Sequence, residues 1–451
     1  MTLEKKQVTV VGLGKSGEAA AAFLAGQGAC VTVVDDILKQ PPATLTGIKS
    51  DFPIAFHLGD WATHDLLSSE LVVISPGVPL SRLPMEALSR AGIPVIGEME
   101  LASRFLTAPI IAITGTNGKS TTATLVAEIL KESHFRVFLG GNIGTPLCLA
   151  AMQSFDYIVA EVSSFQLETA PTFRPKVAAL LNVTEDHLNR HGSMEHYRAL
   201  KERIFHNQTR VDYAVINAQD PPSGQPPLKA VPIVFVSPGS ATKSLSSRGV
   251  TLLGDTIVSN VMGSASPIIR WSTILTNGPH HLENVMAAIA ISQLVGASPD
   301  AIRRTLTRFV GLPHRMEKVR EIGGVSYIND SKGTNVGAVK RALEGMTRPV
   351  VLIAGGRDKG SDFTPLRDLL AKKVKRLIVM GEAADSMIRC FAGHPAITRV
   401  QEMKEAVVTA AAVPGSDHVV LLSPGCASFD MFKNFEHRGD CFKQAVLELR
   451  S

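Results

Sequence analysis

Short apolar runs alternate with helix-patterned stretches along almost the whole of this chain, and that alternation constrains the fold more than any other feature. An apolar run of four or five residues, then a helical stretch, then another such run suits a parallel sheet with helices on its faces. Val8 to Val11 reads as a strand, Lys15 to Ala25 as a helix and Val31 to Val34 as the next strand. Leu71 to Ile74 is a further strand that stops at the turn Ser75-Pro76-Gly77. From Ile96 to Arg104 the pattern is helical, and a second strand series opens at Ile110 to Ile113, which puts a first boundary near residue 97. That series continues through Tyr157 to Ala160, Val177 to Leu181 and Ala214 to Asn217, then changes character in the Pro-, Ser- and Gly-rich stretch Pro221 to Arg248. Val250 to Leu253 and Thr256 to Ser259 flank Gly254-Asp255 as a hairpin. A long helix is expected over His281 to Leu294, and Gly311-Leu312-Pro313 marks a second boundary. The last part carries strands at Val325 to Ile328, Val350 to Ala354, Leu377 to Met380 and Val419 to Leu422.

The expectation is therefore an α/β protein of three domains, 1–97, 98–311 and 312–451. The outer two are Rossmann-like, and the central one resembles a phosphate-loop ATPase with a mainly parallel sheet. Its 451 residues agree with about three domains at roughly 150 residues each. With 45% apolar residues there is material for several cores, which excludes a disordered chain. No apolar run reaches the roughly 18 to 20 residues of a membrane span, and no targeting segment is read at the N-terminus. Five cysteines, none in a Cys-x-x-Cys pair, suit a reducing cytoplasm better than a disulfide framework. A net charge of +5 without a long basic block argues against nucleic acid and suits small anions. The cluster Lys372-Lys373-Val374-Lys375-Arg376 is expected to be a solvated helix end.

Chemistry concentrates where strands give way to glycine-rich turns. Gly12-Leu13-Gly14-Lys15-Ser16-Gly17 joins a strand to a helix, with Asp35 ending the next strand. Glycines there allow a phosphate to approach the helix N-terminus, so the loop reads as nucleotide-binding. Gly115-Thr116-Asn117-Gly118-Lys119-Ser120-Thr121 also follows a buried strand, and its amides, lysine and hydroxyl suit a triphosphate with Mg²⁺. Glu161, ending an apolar strand, is placed like a Mg²⁺-site acid, with Ser163 and Gln166 as polar groups just beyond it. His187 follows another apolar strand in Asn182-Val183-Thr184-Glu185-Asp186-His187. Lys201 falls in the middle of a helical stripe, with Met194, Tyr197, Ile204 and Phe205 within about 60° of it. A lysine there must snorkel, pair or lose its charge, so a solvated lysine and a functional buried one both stand. Asn329 to Asn335, Gly355 to Gly360 and Ser423 to Asp430 are three further polar strand ends, the usual ligand-binding edge of an open α/β sheet.

Taken together, Gly115 to Ser120, Gly140-Gly141-Asn142-Ile143-Gly144, Glu161 to Gln166, Asn182 to His187, Leu312 to Arg315, Asn329 to Asn335 and Ser423 to Asp430 resemble the Mur ligases along nearly the whole chain. Gly12 to Gly17, Glu161 to Glu168 and Phe432-Lys433-Asn434-Phe435-Glu436 point to the D-glutamate-adding branch of that family. The resemblance implies a monomeric cytoplasmic enzyme that uses ATP and two Mg²⁺ to join D-glutamate to UDP-N-acetylmuramoyl-L-alanine, through an acyl phosphate, with no nucleic-acid or membrane partner. It implies that Lys119 and the residues Gly115, Thr116, Asn117, Gly118, Ser120 and Thr121 hold the phosphates, with Asn284, Arg315 and Asp330 also on ATP. Ser120 and Glu161 would hold one Mg²⁺, and His187 with a carbamylated Lys201 the other; Lys119, Glu161, His187 and Lys201 form the catalytic set. Lys15, Ser16, Asp35, Ser75, Gly77 and Asn142 match the sugar-nucleotide side, with Ser163 and Gln166 among the substrate-binding residues. Lys332, Thr334, Lys359, Ser428 and Phe435 match the D-glutamate side. His281, Asp36 and Ile37 depart from the family pattern. Other readings remain open on the residues alone. A nicotinamide dehydrogenase would use Gly12 to Gly17 but leave Lys119, Glu161 and Lys201 idle. A folylpolyglutamate synthetase-like ligase lacks the front domain, and an ATP-switched binding protein needs no acceptor site.

Overall fold

The computed structural model describes residues 2–48, 52–59, 61, 63–224, 227–236, 248–274, 279–358, 360–394 and 396–449. The expected Lys359 and part of the Pro221 to Arg248 stretch lie outside the described residues. Contacts divide the chain into two compact units, Met1–Asn182 with Glu195–Thr273 and Glu283–Thr307, and Val183–Met194 with Ile274–Leu282 and Arg308–Ser451.

The first unit contains two sheets. Strands β1 (Gln7–Val11), β2 (Cys30–Asp35), β3 (Ala55–Leu58), β4 (Leu71–Ile74) and β5 (Val95–Gly97) form an all-parallel sheet in the order β3-β2-β1-β4-β5. Strand order reverses between β1 and β4, so the crevice beyond their carboxyl ends is where a ligand enters such a sheet. The loop Gly12 to Gly17 and the turn Ser75 to Gly77 lie at those ends.

The second sheet runs through β6 (Ile110–Thr114), β7 (Val137–Gly141), β8 (Tyr157–Glu161), β9 (Val177–Leu180), β10 (Tyr213–Asn217), β11 (Val231–Val236), β12 (Gly249–Leu253), β13 (Thr256–Ser259) and β14 (Ser266–Arg270). Its order is β14-β13-β12-β11-β10-β9-β6-β8-β7, and its pairings are parallel except for β12 with β13 and β13 with β14. Buried β6 lies between β8 and β9, so the loop after it is flanked by Glu161 on one side and Asn182 on the other. Helix Glu98–Ser103 joins the two sheets of this unit: Gly97 N–H donates to the Thr169 carbonyl, and Cys148 N–H to the buried Glu98 carboxyl at 2.6 Å. Burial pushes the Glu98 pKa up to about 7.

In the second unit, β15 (Glu317–Ile322), β16 (Val325–Asn329), β17 (Val350–Gly355), β18 (Val374–Met380), β19 (Ile397–Arg399) and β20 (Val419–Leu422) are ordered β15-β16-β20-β17-β18-β19. Only β15 is antiparallel. Strand β20 enters between β16 and β17, which brings the three polar strand ends side by side. Two apolar clusters pack the opposite faces of this sheet, one around Leu352 and Leu377, the other around Val351, Ile353 and Phe442. The cluster expected to end a helix divides between two elements. Helix Arg367–Lys373 stops at Lys373, and Lys375 and Arg376 open β18, because buried Val374 and Leu377 belong to its strand periodicity. The fold is the expected α/β class, with three mainly parallel sheets.

Candidate active site

Three helices of the first unit begin at glycines that supply no side-chain cap: Gly97 before Glu98–Ser103 and, in the two glycine loops, Gly14 before Lys15–Gly26 and Gly118 before Lys119–Glu132. The first turn of a helix leaves its N–H groups without intrahelical partners, and those groups favour an anion. Other helices are capped by side chains: Ser163, Asn335 and Asn434 each accept a first-turn amide.

The loop after β6 is shaped for close approach. Gly118 has φ +88°, and a Cβ there would come within 2.2 Å of Asn284 Oδ1. Asn182 straps the loop from below: Thr116 N–H donates to its carbonyl (2.8 Å), Asn117 N–H to its Oδ1 (2.9 Å), and its Nδ2 donates to the Asn117 carbonyl (3.1 Å). Lys119 Nζ donates back to the carbonyls of Gly115 (2.8 Å) and Thr116 (3.0 Å). Ser120 Oγ donates to Glu161 Oε2, and Asn142 Nδ2 donates to Glu161 Oε1 at 2.8 Å. Glu161 is buried, so a hydroxyl and a carboxylate oxygen sit together out of bulk water.

Lys201 does not snorkel. It is 1% exposed, and its Nζ donates to the Gly115 carbonyl at 2.9 Å, 4.7 Å from the centre of the Tyr197 ring. Two lysines thus converge on one loop carbonyl, a concentration of positive charge that suits an anionic ligand. Asn117 Nδ2 is buried with no partner, a donor that a bound phosphate group could satisfy. The loop fits a nucleoside triphosphate, and the Ser120–Glu161 oxygen pair fits Mg²⁺, a hard cation that takes few protein ligands. Among the described residues, no three His, Cys, Asp or Glu side chains gather as a metal cluster.

Around Gly12 to Gly17, the side chain of Asp35 is engaged by the backbone of the loop and of its own turn. Its Oδ2 accepts from Leu13 N–H (2.7 Å), and its Oδ1 from Ile37 and Leu38 N–H (both 2.8 Å). Burial raises its pKa, but these three amides outweigh that and hold it below the usual carboxylate range. Asp35 therefore fastens strand end to loop. Ser75 Oγ donates to the Gly12 carbonyl at 2.7 Å, fixing the loop from β4, while Gly77, Lys15 and Ser16 are at least partly exposed. Ser163 and Gln166 are engaged with each other in a capping box.

In the second unit two of the three strand ends, those after β16 and β20, are tied by a residue the sequence reading missed. Arg438, 1% exposed, donates to the carbonyls of Ser331 (2.9 Å), Cys426 (3.1 Å) and Ala427 (3.2 Å) and to Ser331 Oγ (3.0 Å). The signal was there: on helix Phe435–Leu447, Arg438 shares the stripe of Phe442 and Ala445, the same conflict that flags Lys201. Asp330 is buried beside Ser423, whose hydroxyl donates to it at 2.8 Å; burial lifts its pKa to about 7 against the pull of the Arg315 charge. Burial and Arg315 hold His281 down to about 4, so it is neutral at pH 7. Lys332 Nζ lies 3.7 Å from the centre of the Phe435 ring, while Ser428 is buried and Thr334 N–H donates to the Lys332 carbonyl. His187 has φ +56° and its N–H donates to Asp186, which in turn accepts from Asn335 Nδ2 at 2.9 Å. Together with Gly337, Lys340 and Ser361 they line a cavity of about 240 Å³. His187 thus belongs to the second unit, whereas Glu161, Asn284 and Lys201 belong to the first.

Three family descriptions match in succession: Mur ligase MurD-like, N-terminal domain, over residues 6–97; Mur ligase middle domain, over 113–292; and Mur ligase, glutamate ligase domain, over 314–426. The UDP-N-acetylmuramoylalanine--D-glutamate ligase of Pelotomaculum thermopropionicum is 45% identical over 454 residues, covering 99% of this chain and 98% of that protein. The enzyme of the same name from Trichlorobacter lovleyi is 44% identical over the whole of both chains, 100% of each. Among solved structures, the MurF ligase from Thermotoga maritima in complex with ADP has a TM-score of 0.59 at 15% identity, covering 99% of this chain and 96% of that one. The UDP-N-acetylmuramate-alanine ligase MurC from the same organism gives 0.57 at 18%, covering 98% and 99%. At such identities the structural likeness is one of fold.

Proposed function

The chain belongs to the Mur ligase family, and from that premise we propose that it is the ATP-dependent ligase that adds D-glutamate to UDP-N-acetylmuramoyl-L-alanine in peptidoglycan precursor synthesis. The observation that carries this reading is the loop after β6, where Lys119 and Lys201 both donate to the Gly115 carbonyl and Ser120 and Asn142 both donate to the buried Glu161 carboxylate. ATP would transfer its terminal phosphoryl group to the L-alanyl carboxylate, giving an acyl phosphate and ADP. The D-glutamate amine would attack that carbonyl, and inorganic phosphate would leave as the amide forms.

Such a sequence needs positioning and charge balance rather than a protein nucleophile. Lys119 and the loop amides would hold the phosphates, with Asn284, Arg315 and Asp330 toward the rest of ATP. Mg²⁺ at Ser120 and Glu161 would neutralise phosphoryl charge as it develops. A second Mg²⁺, held by His187 and a carbamylated Lys201, stays part of the proposal on the strength of the family resemblance. Carbamylation adds CO₂ to the neutral amine and releases a proton, which turns the lysine into an anionic oxygen ligand.

Lys332, Thr334, Lys359, Ser428 and Phe435 would take D-glutamate, and Lys15, Ser16, Asp35, Ser75, Gly77 and Asn142 the sugar nucleotide, Asp35 by fastening the loop. We assign three domains, 1–97, 98–311 and 312–451, to a monomer in the cytoplasm; among the described residues no helix is long and apolar enough to cross a membrane. ADP release from ATP, measured with UDP-N-acetylmuramoyl-L-alanine and with or without D-glutamate, tests the reading. Sustained ADP release should require both. Release independent of D-glutamate, or supported by an unrelated acid, would refute it.

A further inference from the structure

Helix Glu98–Ser103 opens with a buried carboxylate that the proposed chemistry leaves idle. Glu98 follows directly on Gly97, the last residue of β5, so it stands where the chain leaves the first sheet for the second. Its side chain does not serve its own helix. Oε1 accepts from Cys148 N–H at 2.6 Å, the Leu147 amide also faces the carboxylate, and Cys148 Sγ donates to the Glu98 carbonyl at 3.7 Å. Leu147 and Cys148 open the short helical turn Leu147–Met152, and Pro146 before it supplies no side-chain cap. A carboxylate from far along the chain therefore takes the free amides of that turn, where negative charge is favoured.

The turn closes the loop that carries Asn142. At the other end of that loop, Asn142 N–H donates to the Glu161 carbonyl and Gly141 N–H to the Thr145 carbonyl, both at 2.8 Å. Asn142 Nδ2 reaches the Glu161 carboxylate. The wrapping is tight: a Cβ at Gly140 would lie 2.2 Å from the Thr145 carbonyl oxygen, and one at Gly141 2.4 Å from that of Glu161. Residues 142–146 thus hang between two carboxylates, Glu161 ending β8 and Glu98 on the linker.

The Glu98 charge is held at a cost to the fold. Glu98 is 1% exposed, and its Oε2 is buried with no hydrogen-bond partner among the described residues. Burial, opposed by the Cys148 and Leu147 groups, lifts its pKa from 4.5 to about 7. Within that window the fold holds a proton that the unfolded chain releases, so stability falls as pH rises through it. A neutral residue would escape that loss, and the charge therefore points to a task other than stability. Of the titratable groups around it, Cys148 faces it directly, and burial together with the Glu98 charge keeps that thiol protonated. On its own helix, Glu100 turns to Thr172 and Arg104. Of the other elements packed on this helix, Lys15–Gly26 carries Lys15 and Glu18, Ser164–Glu168 carries Glu168, and β4 and β5 carry none.

We propose that Glu98 is a positioning residue: as a carboxylate it closes the loop that presents Asn142 to the sugar nucleotide, and proton uptake loosens that loop. This rests on the proposed function, in which Asn142 meets the sugar nucleotide, and adds a regulation of that site by pH. A protonated carboxyl keeps an acceptor for Cys148 N–H but loses the charge that makes the bond strong.

The test combines steady-state kinetics with hydrogen exchange on the full chain, for the parent, Glu98→Gln and Cys148→Ala. At about pH 8, Glu98→Gln should raise the KM for UDP-N-acetylmuramoyl-L-alanine about five-fold, the step from a charged to a neutral hydrogen bond. The KM for ATP should stay as in the parent. The two proteins should converge toward about pH 6, where the parent's carboxylate is protonated, and convergence separates Glu98 from titration of the substrates. Cys148→Ala keeps the amide and should keep the parent's pH profile. Without any substrate, amides in 142–148 should exchange faster in Glu98→Gln than in the parent at about pH 8, with the gap closing toward about pH 6. Should Glu98→Gln fail to fold, the parent's own protection of those amides, corrected for intrinsic rates, must fall with pH. A KM difference that is the same at both pH values would overturn the proposal. So would equal exchange in both proteins, protection in the parent that ignores pH, or a Cys148→Ala variant that loses the pH profile. A parent with the expected exchange but no response to the sugar nucleotide would instead overturn the family-based reading beneath it.

Discussion

The two glycine loops of the first unit use one backbone device and differ in what surrounds it. Each joins a buried parallel strand to a helix without a side-chain cap, and each is strapped by a residue at the end of a neighbouring strand. At Gly12 to Gly17 the strap is the Asp35 carboxylate; at Gly115 to Ser120 it is the Asn182 carboxamide. A carboxylate can only accept, so it ties down amides and adds negative charge beneath the ligand. A carboxamide donates as well, and Asn182 holds both the N–H and the carbonyl of Asn117 without adding charge. Where lysines and a Mg²⁺-fitting oxygen pair collect for a triphosphate, the neutral strap keeps the full cationic field. The lesson is that backbone shape provides for phosphate, while the side chains decide between holding and reacting.

The sharpest test of that division substitutes one lysine in each loop. Lys119→Ala should lower turnover by roughly 10² to 10³, the loss of one charge-stabilising donor at a transferring phosphoryl group. Lys15→Ala should change only the KM for the sugar nucleotide, by a few-fold. Comparable losses of turnover from both would erase the distinction drawn here, and quench-flow measurement of ADP formation would show it.

Lys201 extends the comparison, because among the described residues no buried lysine lies at the first loop. Lys201→Ala should cost about 10² in turnover if it becomes a charged oxygen ligand, near the lower end of such electrostatic effects. Labelled bicarbonate should give a carbamate carbon resonance in the parent that disappears in the variant. A parent without that signal would leave Lys201 as a lysine hydrogen-bonded to the loop.

A smaller effect, on stability, should separate the loops again. A Cβ at Gly17 would lie 1.9 Å from the Gly12 carbonyl oxygen, a backbone atom, whereas at Gly118 it meets the Asn284 side chain. Gly17→Ala should therefore lower unfolding free energy by roughly 1 to 3 kcal/mol, in the range of overpacking, while Gly118→Ala, strained by its φ of +88°, should cost about 1 kcal/mol and raise the KM for ATP. Chemical denaturation of the two variants would reverse the assignment if Gly118→Ala proved the less stable.

The smallest expected effect concerns the straps and pH. Asp35 has a lowered pKa in the fold, so its stabilising contribution is present above its unfolded value of 3.8 and is lost as pH falls through the lower folded value. Asn182 does not titrate. Asp35→Asn should cost about 1 kcal/mol near neutral pH, as for a typical hydrogen bond, and should flatten the acid limb of the stability profile. An unchanged acid limb in this variant would show that the first loop does not depend on the carboxylate.

Much of this was legible in the chain. Apolar runs bounded by glycine turns marked the central strands, because a strand buried on both faces must be apolar throughout. Short edge strands such as Ala55–Leu58 and Ile397–Arg399 escaped, since half-exposed segments of three or four residues carry little periodicity. The same is true of Lys375 and Arg376, whose charges suggested solvent although they open a strand. Lys201 was suspected because a helical stripe places side chains by angle alone. Arg438 obeyed the same rule and was overlooked among the strand-end motifs.

By itself, the sequence determined the α/β class, the positions of both glycine loops and the conflict of a lysine within an apolar stripe, because these depend on local periodicity and backbone sterics. Tertiary structure alone decided that β20 enters between β16 and β17, that Asp35 turns inward to its own loop, and that Glu98 caps the turn at Cys148. Each of those facts joins residues far apart in the chain, and their partners are chosen by which strands pair, a choice that local patterning does not encode.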